Sequence, residues 1–395
     1  MRIAIFSDVF YPELTGISDS IITLAKGLAQ YGHEIRFYVP HYSVKDYRKV
    51  GLEPKELQLG PHISIRRLSA LSFGASTGQG RTVITTGAAY RSLKKWKPDI
   101  IHTQLCFGTG LEALIAGKKL NVPVVGTNHT DMTEFMHYGP TRSKWFAKII
   151  LDYISWYYNR CRFVTAPSNF IFKGMIKHGF KKPHRALSNP VDIVSFHPPA
   201  PDEKISLKKQ FGVTDKTVIF TGRLAAEKHV DVLIRAFAAA KKSVPDASMI
   251  ITGFGPVEEA LKKLSEELGL GKSIKFLGLV SPATLIQAYQ ASDIFTIAST
   301  AETQSLSMMN AMASGLPAIG VRAGALPEYI NDQNGFVVEP GDYEAIAKKL
   351  VYLFNNPSVK ELLGHNARTY VEQFSIPNIV KEWITLFMKV ANISS

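Results

Sequence analysis

Cysteine is scarce in this sequence. Its 395 residues include only two, Cys106 and Cys161, which stand far apart and outside any Cys-x-x-Cys or paired-histidine pattern. A disulfide framework and a structural zinc site each need several ligands at set spacings, so neither is suggested. We expect two buried thiols without a chemical role.

Long apolar runs and the signature of dinucleotide oxidoreductases are missing as well. The apolar opening at 3–6 is too short for a signal peptide, and no later run approaches the roughly 18 apolar residues of a membrane span. No Gly-x-Gly-x-x-Gly follows the first predicted strand of either half. We therefore expect a cytoplasmic protein that does not cross a membrane and does not bind a dinucleotide.

Acidic residues are the minority, and their shortage is confined to one half. The whole chain carries 46 lysines and arginines against 33 aspartates and glutamates. Residues 1–190 hold 26 against 12, whereas residues 191–395 hold 20 against 21. Such asymmetry is typical of a half that meets a polyanion, although a solubilising basic face gives the same count. No nucleic-acid-binding module is recognisable, so we expect no nucleic acid among the partners.

Short apolar runs alternate with helix-periodic segments along both halves of the chain. In the first half, strands are predicted at 3–6, 34–39, 99–102, 122–126 and 163–166. In the second half, strands are predicted at 218–221, 248–251, 274–277 and 294–297, with helices at 230–242, 257–267 and 282–290. This alternation predicts parallel sheets with helices on both faces.

A polar, proline-rich stretch between Asn189 and Pro201 interrupts the alternation. We place the domain boundary there, with one Rossmann-like domain at 1–190 and a second at 191–395. A final amphipathic segment at 377–390 is assigned to the second domain as a helix packed on a domain surface. The predicted fold class is α/β, with two Rossmann-like domains facing across a cleft, and open parallel sheets bind ligands at the carboxyl ends of their strands.

Polar residues stand just beyond several predicted strands. Arg223 and Lys228 follow 218–221, and two cations beside a helix N-terminus suit a diphosphate. Glu302 follows 294–297, where its carboxylate suits hydroxyl groups or caps the next helix. His129 follows 122–126, a position at which a lone histidine is usually structural.

Taken together, the motifs resemble those of the retaining, two-Rossmann-domain (GT-B) glycosyltransferases that use UDP-glucose or GDP-mannose. The matching motifs are Gly222-Arg223 with Lys228, Gly253-x-Gly255-Pro256, Ser299-x-x-Glu302-Thr303-Gln304, Gly315-Leu316-Pro317 and Asn334-Gly335-Phe336. The chain looks most like bacterial members that glucosylate diacylglycerol or mannosylate phosphatidylinositol. No Asp-x-Asp metal signature stands in a suitable strand-end loop, so neither a metal nor another cofactor is expected.

The resemblance implies a role for each matching residue. Arg223 and Lys228 would hold the donor diphosphate, Glu302 would contact the transferred sugar, and His129 would reach the hexose at the reaction centre. Further donor contacts are implied for Gly16, Gly222, Gly253, Thr303, Gln304, Ser305, Leu306 and Asn310. Asn310 replaces a second glutamate that bonds the ribose hydroxyls in the family, and Ser305 replaces a usual glycine. These departures leave the donor base and the hexose open.

The acceptor is predicted from the basic first half. Two segments mix cations with aromatic residues, as helices that lie on anionic membranes do. Their residues are Lys94, Lys95, Trp96, Lys97, Lys144, Trp145 and Lys148. We expect hexose transfer from a UDP- or GDP-sugar to a lipid or glycan acceptor, by a protein peripheral on the inner face of the cell membrane.

Two other functions remain open from the sequence. A sugar-nucleotide epimerase with two Rossmann domains shares the predicted architecture and binds similar ligands. A degenerate protein that binds nucleotide-sugars without turnover is favoured by Asn310.

Overall fold

A computed structural model describes residues 1–13, 15–72, 80–130 and 144–393. The chain divides into two compact units, the first formed by Met1–Pro190 with Ile376–Ser395 and the second by Val191–Ser375. Each unit contains a parallel sheet with accompanying helices. The predicted α/β class with two Rossmann-like units is therefore confirmed.

The first unit is organised around a parallel sheet. Its strands are β1 (Arg2–Phe6), β2 (Glu34–Pro40), β3 (Ile63–Leu68), β4 (Ala70–Ser72), β5 (Arg81–Val83), β6 (Ile100–Thr103), β7 (Val124–Thr127), β8 (Phe163–Ala166) and β9 (His184–Ala186). The sheet order is β3-β2-β1-β6-β7-β8-β9, while β4 and β5 pair antiparallel with each other. All carboxyl ends of the large sheet therefore lie along one edge.

Helices connect these strands. They are α1 (Gly16–Gln30), α2 (Val44–Arg48), α3 (Ala88–Trp96), α4 (Gly108–Leu120), α5 (Lys144–Tyr158) and α6 (Asn169–Lys177). Asp8, just after β1, accepts hydrogen bonds from the backbone N–H groups of Phe107 and Thr109 at 3.2 and 2.8 Å, where α4 begins. Burial raises the pKa of Asp8 to about 6. The side chain thus ties the end of one strand to the start of the helix beside it.

The second unit repeats the design. Its strands are β10 (Thr217–Thr221), β11 (Ser248–Thr252), β12 (Ile274–Gly278), β13 (Ile294–Thr296), β14 (Ala318–Val321) and β15 (Gly335–Val338). They form a parallel sheet in the order β12-β11-β10-β13-β14-β15. Its helices are α7 (Pro201–Phe211), α8 (Val230–Lys241), α9 (Glu258–Glu267), α10 (Pro282–Gln290), α11 (Leu306–Ala313), α12 (Leu326–Tyr329), α13 (Tyr343–Asn355) and α14 (Pro357–Glu372). A strand order that turns back beside the first strand places the ends of β10 and β13 next to each other, where such sheets bind ligands.

The last helix, α15 (Ile376–Ala391), departs from the predicted domain division. It belongs to the first unit, although its assignment at 191–395 placed it in the second. Its apolar stripe packs against α1 at Gly27, where a side chain would lie 2.4 Å from a methyl group of Val380. A glycine at this point lets the two helices approach closely, and the stripe of α15 is buried there. Among the described residues, no helix is long and apolar enough to cross a bilayer.

His102, at the end of β6, lies beneath α15. Its ring centroid is 4.5 Å from that of Trp383 and 5.3 Å from that of Phe387, and its side chain is fully buried. Burial, assisted by the neighbouring His129, lowers the pKa of His102 to about 3. The ring is therefore neutral at neutral pH.

The two cysteines behave as expected. Cys106 and Cys161 are free and buried in the core of the first unit. Burial raises the pKa of both thiols. Neither thiol is therefore activated as a thiolate.

Replacing Gly27 tests the packing of α15. Gly27→Ala places a methyl group against Val380, so we expect it to lower the free energy of unfolding of the first unit by about 1–3 kcal/mol. Gly174→Ala is the matched control, because Gly174 lies in α6 with open space around it and should gain up to about 1 kcal/mol in helix propensity. All four tryptophans lie in the first unit, so tryptophan fluorescence during urea unfolding reports on that unit. Equal stabilisation by both substitutions would contradict the packing of α15 on α1.

The buried His102 predicts a pH dependence of stability. The pKa of this histidine falls from an ordinary 6.5 to about 3 on folding, so the unfolded chain binds more protons between these values. The free energy of unfolding therefore decreases as the pH falls below about 6.5, by up to about 1.4 kcal/mol per pH unit from this group. The raised pKa of Asp8 acts in the opposite direction, but its contribution cancels when wild type is compared with His102→Asn. We expect a shallower dependence for the variant in urea titrations followed by tryptophan fluorescence. Parallel curves would show that His102 does not titrate this way.

Candidate active site

Two glycine-containing loops meet at the carboxyl edge of the second sheet. A side-chain carbon on Gly253, after β11, would lie 1.8 Å from the carbonyl oxygen of Gly222, after β10. Gly253 also has φ +128°, a conformation that favours glycine. A side-chain carbon on Gly255 would lie 2.2 Å from the carbonyl oxygen of Leu224, whose N–H donates to Phe254 at 2.9 Å. Backbone contact thus fixes the loop that carries Arg223.

The two predicted diphosphate-binding cations lie in this loop, and each is paired with a carboxylate. Arg223 pairs with Glu227, which precedes Lys228 in a single turn of 3-10 helix, Ala226–Lys228. Nζ of Lys228 donates to Oε1 of Glu302 at 2.6 Å. The structure therefore brings Lys228 and Glu302 together, although 74 residues of sequence separate them.

Glu302 lies in the loop between β13 and α11 and is buried. Its carbonyl oxygen accepts a hydrogen bond from the N–H of Ala325 at 2.8 Å. A side-chain carbon on Gly324 would lie 2.5 Å from the same oxygen. The loop that follows β14 therefore packs directly against the backbone of Glu302, whose carboxylate contacts Lys228.

Ser305 begins α11 in a left-handed conformation. Its φ is +71°, and its hydroxyl accepts from the N–H of Met308 as a helix cap. A left-handed residue explains why glycine suits this position in the family that the sequence resembles. Gln304 is buried beside it, whereas Thr303 and Leu306 are partly exposed. Asn310 is partly exposed one helical turn beyond Leu306.

The remaining predicted site residues belong to the first unit. Gly16 is the exposed first residue of α1, whose N-cap Thr15 accepts from the N–H of Ser18. His129 follows β7 and is buried, with Nε2 lying 2.7 Å from Oε1 of Gln104. Burial lowers the pKa of His129 to about 4, so its ring is neutral at neutral pH.

The two predicted membrane segments differ in their positions. The helix α3 runs back to the amino edge of the first sheet, where the carbonyl of Trp96 accepts from Arg2 at 2.7 Å. Trp96 is not exposed as a membrane segment requires, because its ring is half-buried beneath Arg36, whose guanidinium lies 4.4 Å from the ring centroid. Lys94, Lys95 and Lys97 are exposed.

The helix α5 begins near the opposite edge of that sheet, where the strands have their carboxyl ends. It precedes β8 in a parallel arrangement, so its first turn lies on the carboxyl side. Trp145 is 71% exposed, and Lys148 is exposed one turn later. The side chain of Lys144 lies outside the described residues. Of the two predicted segments, α5 is therefore the one that exposes a tryptophan to solvent near the carboxyl edge of the sheet.

The sequence analysis did not identify two residues that contact the predicted site residues, Glu227 and Gln104. The ion pair of Glu227 with Arg223 could have been predicted from the sequence, because the two residues stand four apart in the same strand-end loop. Gln104 follows β6, the neighbour of the strand that leads to His129. The parallel sheet brings these two strand ends together, a contact visible only once the strand order is known. Among the described residues, no group of three or more histidine, cysteine or acidic side chains is arranged to hold a metal ion.

Family models match both units. The model described as Glycosyltransferase Family 4 matches residues 14–194, and the model described as Glycosyl transferases group 1 matches residues 201–370. The first match falls on the first unit and the second match on the second unit.

Known proteins resemble the chain over most of its length. An alpha-monoglucosyldiacylglycerol synthase from Acholeplasma laidlawii is 28% identical over 98% of this chain and 97% of its own. A GDP-mannose-dependent alpha-mannosyltransferase from Corynebacterium glutamicum is 26% identical over 87% of this chain and 78% of its own. The crystal structure of Anabaena HepE in complex with UDP has a TM-score of 0.78 at 20% identity, covering 98% of this chain and 100% of that one, a likeness of fold alone. With a family match on each unit and relatives along its full length, the chain belongs to the group 1 glycosyltransferases and has the GT-B fold.

Proposed function

We propose that this protein transfers glucose or mannose from a nucleotide-diphosphate sugar to a hydroxyl group of a lipid-linked or glycan acceptor, with retention of anomeric configuration. The observation that carries the proposal is the contact of Lys228 with Glu302 at the ends of β10 and β13. It supplies a cation for the departing phosphate and a carboxylate for sugar hydroxyls at one point. The names of the relatives, a glucolipid synthase and a mannosyltransferase, support both hexoses.

Donor binding is assigned to the loops of the second unit. The guanidinium of Arg223 can bind phosphate oxygens bidentately, while Lys228 places its positive charge beside Glu302. The N-terminus of α11, at Thr303–Leu306, adds backbone N–H groups and a positive dipole end. Gly222 and Gly253 let the two loop backbones pack against each other beside the diphosphate, and Asn310 bonds the ribose hydroxyls through a neutral amide.

The transfer step needs no metal and no enzymic nucleophile in this proposal. The bond between the anomeric carbon and the diphosphate oxygen breaks, and the acceptor oxygen forms its bond to that carbon on the same face. The hydroxyl proton of the acceptor passes to the departing diphosphate. Fixed cations placed where charge develops lower such a barrier, and Arg223 with Lys228 supplies them here. The motif match also assigns the hexose to His129 and the phosphates to Gly16.

Substitutions at the ion pair test this assignment. We expect Lys228→Ala and Glu302→Ala each to reduce hexose transfer at least tenfold, a loss of about 1.4 kcal/mol of transition-state stabilisation. The assay offers UDP-glucose and GDP-mannose in parallel, with diacylglycerol and phosphatidylinositol in vesicles as acceptors, in EDTA or in magnesium. Lys262→Ala is the control, because Lys262 forms exposed ion pairs on α9 in the same unit.

Each outcome of this assay has a distinct meaning. Turnover at the wild-type rate in both variants would refute the site, and inactivation by EDTA would refute the metal-free step. Binding of a nucleotide-sugar by wild type, with no transfer to any acceptor, would favour a degenerate donor-binding protein in which Asn310 replaces the family's glutamate.

We further propose that α5 brings the first unit to an anionic membrane at the inner face of the cell membrane. Trp145, Ile149 and Trp156 are exposed along this helix, and Arg160 covers the ring of Trp156 at 3.9 Å. Tryptophan with flanking cations is typical of helices at a lipid interface. Because the first half of the chain carries the basic excess, the attraction is electrostatic as well as apolar.

Vesicle binding distinguishes α5 from α3. Wild type should bind vesicles of mixed phosphatidylglycerol and phosphatidylcholine at low salt, and Trp145→Ala combined with Lys148→Ala should weaken that binding at least tenfold. Lys94→Ala combined with Lys95→Ala is the comparison, and we expect a much smaller effect because these residues lie toward the other edge of the sheet. Co-sedimentation measures both. A larger loss in the α3 variant, or no vesicle binding by wild type, would overturn the placement.

A further inference from the structure

A buried chain of polar side chains leads inward from His129. Its Nε2 lies 2.7 Å from Oε1 of Gln104, and the amide nitrogen of Gln104 lies 3.0 Å from Nδ1 and 3.1 Å from Nε2 of His102. Nε2 of His102 lies 2.7 Å from the hydroxyl of Thr127, which is 2.7 Å from the hydroxyl of Thr165. All five side chains are at most 8% exposed. A polar group buried in this way costs free energy if its hydrogen bond is not formed, so these contacts are strongly favoured.

The donors and acceptors of this chain follow one direction. Oε1 of Gln104 can only accept, so Nε2 of His129 carries the proton and Nδ1 of His129 is the acceptor nitrogen. The amide N–H of Gln104 donates to Nδ1 of His102, whose Nε2–H donates to Thr127. Thr127 then donates to Thr165. One arrangement of protons therefore connects His129 to Thr165, with Nδ1 of His102, and not its Nε2, accepting from Gln104.

Packing around the chain holds its members in place. His102 cannot turn freely, because the rings of Trp383 and Phe387 lie against it. The backbone before His129 is tied as well, since the N–H of Asn128 donates to the carbonyl of Thr165 at 2.9 Å. The hydroxyl of Tyr158 donates to the carbonyl of Thr127 at 2.9 Å. The ring of His129 is thus attached to a rigid support through Gln104.

We propose that Gln104 and His102 are positioning residues that hold His129 in its Nε2-protonated tautomer, with Nδ1 as the hydrogen-bond acceptor for a hydroxyl group of the transferred hexose. The hexose contact rests on the proposed function, whereas the tautomer does not. A neutral amide is suited to this task, because it orients the imidazole without adding a charge that would stabilise the imidazolium.

Nuclear magnetic resonance of wild-type protein carrying isotope-labelled histidine tests the tautomer directly. The ring nitrogens of His129, assigned by their loss in His129→Asn, should show Nε2 protonated and Nδ1 unprotonated at neutral pH. In Gln104→Leu, which has a similar shape and no polar atoms, the two tautomers should mix. A wild-type ring protonated at Nδ1, or averaging between tautomers, would overturn the proposal whatever the protein transfers.

Kinetics test the consequence for the reaction. With the better of UDP-glucose and GDP-mannose, Gln104→Leu should lower kcat at least tenfold and leave the KM for the donor within about twofold, because the proposed diphosphate-binding cations, Arg223 and Lys228, lie on the second unit. Gln104→Glu restores an acceptor oxygen and should recover part of kcat. Tyr38→Phe is the control, since it removes a partly buried hydrogen bond of the first unit, to Ser92 at 2.9 Å. An unchanged kcat in Gln104→Leu, or a loss equal to that in Tyr38→Phe, would reduce Gln104 to a structural role.

Discussion

The proposed donor site depends on two loop backbones that touch with no side chain between them. Gly253 approaches the carbonyl of Gly222 so closely that any other residue would collide with it. The same construction recurs across the sheet, where Gly324 faces the carbonyl of Glu302. Because the loops are fixed against one another through backbone atoms, the long side chains of Lys228 and Glu302 meet at a defined point. The close backbone packing at Gly253 and Gly324 therefore fixes the position of the ion pair between Lys228 and Glu302.

Local arrangement, and not net charge, governs this part of the molecule. Residues 191–395 are nearly neutral, with 20 basic and 21 acidic side chains. Within the site, each cation has a carboxylate partner, so the pairs nearly cancel. In the proposed site a diphosphate is attracted by donors held at short range in a partly buried loop, where electrostatic interactions are stronger than in water. The first half of the chain, by contrast, carries 26 basic against 12 acidic residues, an excess that suits the proposed lipid interface.

The sequence predicts elements whose periodicity is strong, and it fails where a contact joins distant segments. The strand at 218–221 and the helix at 230–242 match β10 and α8 within a residue. The spacing of apolar residues in α15 shows that one face is buried, but the same stripe would fit either unit. In the structure the stripe meets α1 at Gly27, and nothing in the local sequence marks this glycine as a contact for Val380.

In the candidate site, too, the sequence predicts local features and misses contacts between distant segments. Arg223, Lys228 and Glu302 were predictable because each follows a recognisable strand in a recognisable motif. The left-handed conformation of Ser305 was not, since serine carries no local signal for it. Gln104 was also missed, because its importance arises from a strand order that places β6 beside β7. Sequence patterns locate the ends of strands, whereas the sheet decides which ends become neighbours.

The helix α15 connects the packing of the first unit to its chemistry. Its aromatic residues press on His102, His102 contacts Gln104, and Gln104 contacts His129. Burial holds both histidines neutral, with pKa values lowered to about 3 and about 4. In hydrolases that use histidine as a general base, a carboxylate orients the ring and stabilises its charged form. Here an amide occupies that place, which suits the proposed reaction, in which the proton passes to the leaving phosphate. In that mechanism His129 needs orientation and neutrality, and the buried amide of Gln104 supplies the orientation without adding a charge.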